Sequence, residues 1–264
     1  MPSSRTARPV SLPDVTISEF SGVRFLHLDS IWVQGAMRIR QPDRVELDYV
    51  QRMLASLLWL PTTELGQGQA VQLGLGAGAI TRFTANKLKM ATTVVEINPQ
   101  VIEANAQWFH LPPAAEVVRG DAADWLAQAE PQSVRLLHVD LYDQEAAAPV
   151  LDDEAFYGAC RAVLERGGVM SVNLFGRHAS FERSAARIAA AFGSDQAWSL
   201  RPTREGNTVV VAGRDLVVPD REELAARADT LESRFREAGL PAKKWLRMVR
   251  PYSAPADAPL KVTE

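Results

Sequence analysis

The stretch Gln72-Leu73-Gly74-Leu75-Gly76-Ala77-Gly78-Ala79, followed by Thr93-Val94-Val95-Glu96-Ile97-Asn98-Pro99, decides how the chain reads. An apolar run ending in three closely spaced glycines reads as a strand, a tight turn and the first turn of a helix. Glycine permits the turn and lets backbone approach a ligand, and the helix amides face whatever lies above them. The glycines alone are a weak signal, since such turns also serve packing and Ala79 completes a loose G-x-G-x-x-A pattern. Glu96 sharpens it. An acid at the end of the next strand, roughly 20 residues on, is placed to accept both hydroxyls of a ribose.

Working outward, strands are expected at 70–73, 93–97, 116–119, 134–141 and 168–174, alternating with helices at 79–88, 99–108, 122–128 and 153–164. Short apolar strands separated by helices of about ten residues indicate a parallel sheet covered on both faces. Residues 197–201 and 208–212 flank Thr203-Arg204-Glu205-Gly206-Asn207 and read as a hairpin, which makes the last strand antiparallel. The expected fold class is therefore α/β, a methyltransferase-type Rossmann fold with a seven-stranded, mainly parallel sheet and a C-terminal antiparallel hairpin. Before it, residues 23–33 read as two short strands around Asp29-Ser30, a small N-terminal β-element. Residues 44–60 carry Val45, Leu47, Val50, Met53, Leu54, Leu57 and Leu58 at helical spacing, stopped by Pro61. Residues 221–238 read as a charged helix, and the proline-rich end from Pro251 as mobile. Three units follow: 1–60 (arm, β-element and helix), 61–214 (nucleoside-binding Rossmann-like domain) and 215–264 (C-terminal helix and tail).

Composition narrows the function. In 264 residues, 29 basic and 32 acidic side chains leave a net charge of −3, so charge favours neither nucleic acid nor an anionic membrane as partner. The single cysteine, Cys160, excludes an internal disulfide and fits a reducing compartment. The first residues lack the apolar core of a signal peptide, and no apolar run approaches the ~20 residues of a membrane span. A cytoplasmic location is expected, and a homodimer is compatible with it. The four histidines have no metal-ligand spacing, so no metal is expected. His138 reads as a packed strand residue and Cys160 as core.

Two more acids complete the candidate site. Asp121, in Arg119-Gly120-Asp121-Ala122, is placed to cap the next helix and to accept the amino group of an adenine. His138-Val139-Asp140-Leu141-Tyr142-Asp143 ends the strand expected beside the glycine loop, where ligands bind in such sheets. Two carboxylates three residues apart form a cation trap suited to an amine. Asp152-Asp153-Glu154 reads as acids in the first turn of a helix.

The order of these motifs resembles the polyamine aminopropyltransferases, the spermidine and spermine synthase family, over roughly residues 23–175. The likeness rests on Leu73-Gly-Leu-Gly-Ala-Gly78, Val94-Val-Glu-Ile-Asn-Pro99, Gly120-Asp-Ala122, the Asp140/Asp143 pair and Glu154-Ala-Phe-Tyr157. The resemblance implies that Gly74, Gly76 and Gly78 cradle the nucleoside, that Glu96 holds its ribose and that Asp121 meets its adenine. It further implies that Asp140 acts at the attacking amine and that Asp143 holds the amine substrate, with Gln34 and Tyr49 lining the cleft. The implied reaction moves an aminopropyl group from decarboxylated S-adenosylmethionine to a small-molecule amine, without metal. The chain departs from the family pattern at three places. Ala77 stands where the family's glycine loop carries an aspartate for the ammonium of the aminopropyl arm. Gln144 replaces a proline, and Val50-Gln51 replaces His-Glu. Position 77 is expected to point at the arm on sulfur, so Ala77 favours a second reading, an S-adenosylmethionine-dependent methyltransferase. A third is a catalytically degenerate nucleoside-binding domain that docks through its C-terminal helix.

Overall fold

The computed structural model describes residues 12–141, 151–175 and 179–252. Its main body is an eight-stranded sheet. β4 (Gln69–Leu73), β5 (Ala91–Glu96), β6 (Ala115–Arg119), β7 (Val134–Val139) and β8 (Leu164–Phe175) run parallel. β10 (Asn207–Gly213) lies antiparallel beside β8, followed by β9 (Ala197–Leu200) and the short β11 (Val249–Pro251). The order is β11-β9-β10-β8-β7-β4-β5-β6. The parallel strands and the hairpin are those expected from the sequence. The eighth strand is a difference: Val249-Arg250-Pro251 pairs with β9 at the sheet edge, where a proline costs no ladder bond.

Alternating residues along each strand fill two cores. Ala70, Leu136, Val169, Val209 and Val211 face α1 (Asp48–Met53), the tight turns Leu54–Trp59 that continue it, α2 (Ala79–Arg82) and α7 (Arg221–Arg234). Val71, Leu137, Met170, Val210 and Ala212 face the other layer, α4 (Ala122–Gln128), α5 (Glu154–Val163) and α6 (Ala179–Phe192). This period of two is what a sheet buried on both faces requires. His138 and Cys160 are fully buried. Burial lowers the His138 pKa to about 4, so it is neutral, and its Nδ1 lies 2.7 Å from the Ser171 hydroxyl.

The N-terminal element differs from expectation. It has three strands, β1 (Val15–Phe20), β2 (Val23–Leu28) and β3 (Gly35–Arg38), in an antiparallel sheet. The turn is Ser21-Gly22, both at positive φ, the geometry that suits a two-residue hairpin. Asp29 ends β2. The second of the two strands expected around Asp29-Ser30 is absent from residues 31–33; Gln34 N–H returns to the Leu26 carbonyl, and β3 starts at Gly35. The first helix also begins later than Arg44. Val45 N–H donates to the Ala238 carbonyl 3.0 Å away, a tertiary bond that holds residues 44–47 outside the helix. Leu60, before Pro61, is extended, as a pre-proline residue should be.

The C-terminal helix is not a free docking face. It ends at Arg234, and Ala228, Leu231 and Phe235 sit in the core beneath α1. Buried Arg227 donates to the Leu58 carbonyl at 3.1 Å. A further helix, α8 (Ala242–Trp245), follows. The end expected to be mobile lies, from residue 253, outside the described residues. Among the described residues no helix is long and apolar enough to cross a membrane.

Candidate active site

The chain order reverses between β4 and β7, which lie side by side, and the site sits at their C-terminal ends. Gly74, at φ +87°, lies so close to this junction that a Cβ there would overlap the carbonyl oxygen of Asp140. That glycine therefore sets the distance between the glycine loop and Asp140, the residue that follows β7. Gly74, Gly76, Glu96, Asp121 and Asp140 line one cleft, together with Leu26, Leu28 and Gln34. Gly78 is not on its wall; it precedes α2 with positive φ, and a Cβ there would meet the Asn105 side chain at 2.6 Å. As it stands the cleft encloses about 130 Å³. Ligand pockets run from about 300 Å³ upward, so the cleft as it stands is narrower than an ordinary ligand pocket.

Glu96 spends one lone pair of each oxygen on backbone. Oε2 accepts from Leu75 N at 2.9 Å and Oε1 from Asn98 N at 2.8 Å. A carboxylate has about four acceptor positions, so these two bonds leave Glu96 with acceptor capacity to spare. Burial raises the Glu96 pKa, and the N–H bonds from Asn98 and Leu75 oppose that rise. Glutamine has one acceptor oxygen, and its amide cannot accept from a loop N–H. Glu96→Gln is expected to weaken an adenosyl ligand by about tenfold or more and leave the chain folded. Calorimetric titration with methylthioadenosine checks this, and unchanged affinity removes Glu96 from the site. Asp121 does cap α4: its Oδ1 accepts from Ala123 N at 2.8 Å and from Asp124 N at 3.2 Å. It faces the same cleft.

Asp140 stands where this cleft meets a second one of about 530 Å³. Gln34 and Asp140 line both. The second cleft is walled by Trp32, Leu47, Tyr49 and Phe175 and carries the acids Glu46, Asp48 and Glu205. Tyr49 donates its hydroxyl to Asp140 Oδ2 at 3.2 Å and Asn173 its amide to Oδ1 at 2.9 Å; Asn207 in turn donates to Asn173 Oδ1 at 3.1 Å. Burial raises the Asp140 pKa against these two bonds. Asp143 lies outside the described residues. Asn173, Asn207 and Glu205 escaped the sequence reading. The available signal was Asn173 itself, a polar residue near the end of the apolar run Val172-Asn173-Leu174.

The chain is 32% identical over 241 residues to the polyamine aminopropyltransferase of Chromobacterium violaceum, covering 89% of this chain and 90% of that one. This chain belongs to the polyamine aminopropyltransferase family. The aminopropyltransferase of Neisseria meningitidis is 29% identical over 88% of this chain and 89% of its own. No family model matches the chain. In three dimensions the aminopropyltransferase fold is shared with a probable spermidine synthase of Corynebacterium glutamicum. The TM-score is 0.70 at 18% identity, over 88% of each chain. Human methyltransferase-like protein 13, solved with SAH, superposes with a TM-score of 0.65 at 21% identity, over 81% of this chain and 98% of that one.

One expectation about this aminopropyltransferase is corrected. Ala77 does not point into the cleft. It is buried in the small core between the N-terminal sheet and the loop, and a Cβ on Gly35 would meet its Cβ at 2.5 Å. Val50 is likewise buried, and Gln51 donates to the Val45 carbonyl at 2.7 Å. An aspartate at 77 would therefore be a carboxylate pressed onto Gly35. Ala77→Asp is expected to destabilise the protein by about 2 kcal/mol or more, not to tighten any donor. Thermal unfolding checks it, and a Tm equal to the parent's contradicts this placement.

Proposed function

We propose that the protein transfers the aminopropyl group of decarboxylated S-adenosylmethionine to a small amine held in the second cleft. The observation that carries this reading is the meeting of two clefts at one carboxylate, Asp140. The nucleoside would lie along Glu96 and Asp121, with sulfur towards Gly74. The amine would lie against Tyr49 and Gln34 among carboxylates, with its reacting nitrogen at Asp140; the family resemblance gives its far ammonium to Asp143.

The step is a displacement. The nitrogen lone pair forms the new N–C bond, the C–S bond breaks with its electron pair going to sulfur, and methylthioadenosine leaves. Alignment does most of the work. The attacking amine must be neutral, and an aspartate near ~4 is a poor base for an ammonium near ~10. Asp140 therefore orients the nitrogen by accepting its N–H and takes up the proton as positive charge passes to it. The raised Asp140 pKa suits that exchange, while Asn173 and Tyr49 hold its two oxygens in fixed directions. No metal is needed for this balance. A cytoplasmic setting fits the near-neutral charge and single buried thiol.

A thermal-shift panel with methylthioadenosine, decarboxylated S-adenosylmethionine, S-adenosylhomocysteine and NAD tests the donor. Ligand at about 100 times its dissociation constant stabilises by ~2.7 kcal/mol. The decarboxylated donor and methylthioadenosine should shift the melt; a response to NAD alone contradicts the reading.

A further inference from the structure

A further cavity shares no lining residue with the two clefts that meet at Asp140. It encloses about 1070 Å³ beside the C-terminal end of α7 and α8, and its charged lining is almost all of one sign. Arg44, Arg201, Arg236, Lys243, Lys244 and Arg247 line it, against the single carboxylate of Glu232. These cations come from four separate places: the segment before α1, the end of β9, the turn after α7, and α8 with the residues after it. The fold gathers them; they are not one face of one helix. In a chain of net charge −3 such a gathering opposes its own repulsion.

The charges are also left open. Among the described residues, Lys243 alone of the six has an ion pair, with Asp229 at 2.7 Å. The Arg44 guanidinium lies against Gly239, where a Cβ would meet it at 3.1 Å, so the absence of a side chain at 239 keeps that plane at the cavity wall. Gly239 has φ +76° and closes the turn after α7. Arg201 is held from behind through its backbone, by Met248 and by the Arg52 guanidinium.

We propose that this cavity is a binding site for a compact polyphosphate anion, a triphosphate group borne by a nucleotide or by inorganic polyphosphate. Guanidinium forks and ammonium groups from several directions match tetrahedral phosphate oxygens. The carboxylates around the site favour a compact anion over a long one. Asp229 lies beside Lys243, Glu232 is in the lining and exposed Glu237 is 3.9 Å from Lys87, so an extended strand leaving the cavity would meet acids.

The test is isothermal titration of the full chain at low and moderate salt with inorganic tripolyphosphate, with ATP, and with a twelve-nucleotide single-stranded DNA, all with methylthioadenosine present to occupy the nucleoside cleft. Tripolyphosphate should bind one to one, more weakly as salt rises. The double variant Arg236→Gln, Arg247→Gln, at two exposed and unpaired positions, should weaken it by about tenfold or more while leaving the melting curve unchanged. ATP binding more tightly than tripolyphosphate at these residues identifies a nucleotide as the source; equal affinity identifies the polyphosphate chain. No binding of tripolyphosphate, affinity unchanged in the variant, or binding of the oligonucleotide alone overturns the proposal.

Discussion

Asp140→Asn should lower the turnover of aminopropyl transfer by about 10²- to 10⁴-fold while methylthioadenosine still binds. The asparagine keeps the shape of the side chain. Its oxygen can still accept one of the bonds that Asn173 and Tyr49 now give to the two carboxylate oxygens. It loses the capacity to take a proton as the amine nitrogen becomes positive. The pH profile offers a second view of the same group. Burial raises the Asp140 pKa, and transfer needs the carboxylate, so kcat/KM should fall as pH drops through that raised value rather than through the ordinary one near ~4. Asn173→Ala removes a bond that stabilises the charged form, so the acidic limb should move to higher pH. Turnover of Asp140→Asn within a few-fold of the parent at saturating substrate would exclude this role, and an acidic limb unmoved in Asn173→Ala would exclude the positioning role of Asn173.

Gly74→Ala should cost the site its geometry. Alanine at φ +87° costs about 1–2 kcal/mol in backbone conformation alone. Its Cβ would also overlap the Asp140 carbonyl, which is backbone and cannot rotate aside. The loop and the end of β7 must separate, moving the nucleoside floor and the reacting acid in one step. Methylthioadenosine affinity should fall by about 10²-fold or more, with a lower Tm. Titration calorimetry and thermal unfolding measure both. An affinity within threefold of the parent would show that the nucleoside does not use this loop.

The parallel core was legible because each strand there is a short apolar run between helices, and its two-faced burial leaves little choice of period. The N-terminal sheet was less so. Val15-Thr-Ile-Ser-Glu-Phe20 does alternate, but its side chains are largely exposed and its partner is found only through the Ser21-Gly22 turn. β11 and α8 could not be read, since three or four residues have no period and take their structure from β9 and the α7 core. At the site, the residues at strand ends, Gly74, Glu96, Asp121 and Asp140, line one cleft as the motif order suggested. Asn173, Asn207 and Glu205 reach the site through pairing of β8 with β10 and through the hairpin loop, contacts between residues roughly 30 apart that local spacing does not encode. The direction of residue 77 was also hidden, because it depends on Gly35 in another sheet.

The most direct test of the central claim is product analysis. The protein is incubated with a panel of diamines and either decarboxylated or ordinary S-adenosylmethionine, and the sulfur product and the amine are identified by mass spectrometry. Aminopropyl transfer predicts methylthioadenosine from the decarboxylated donor, in equal amount to an amine heavier by one aminopropyl unit. No methylthioadenosine from that donor, together with S-adenosylhomocysteine and a methylated amine from the ordinary one, would contradict it.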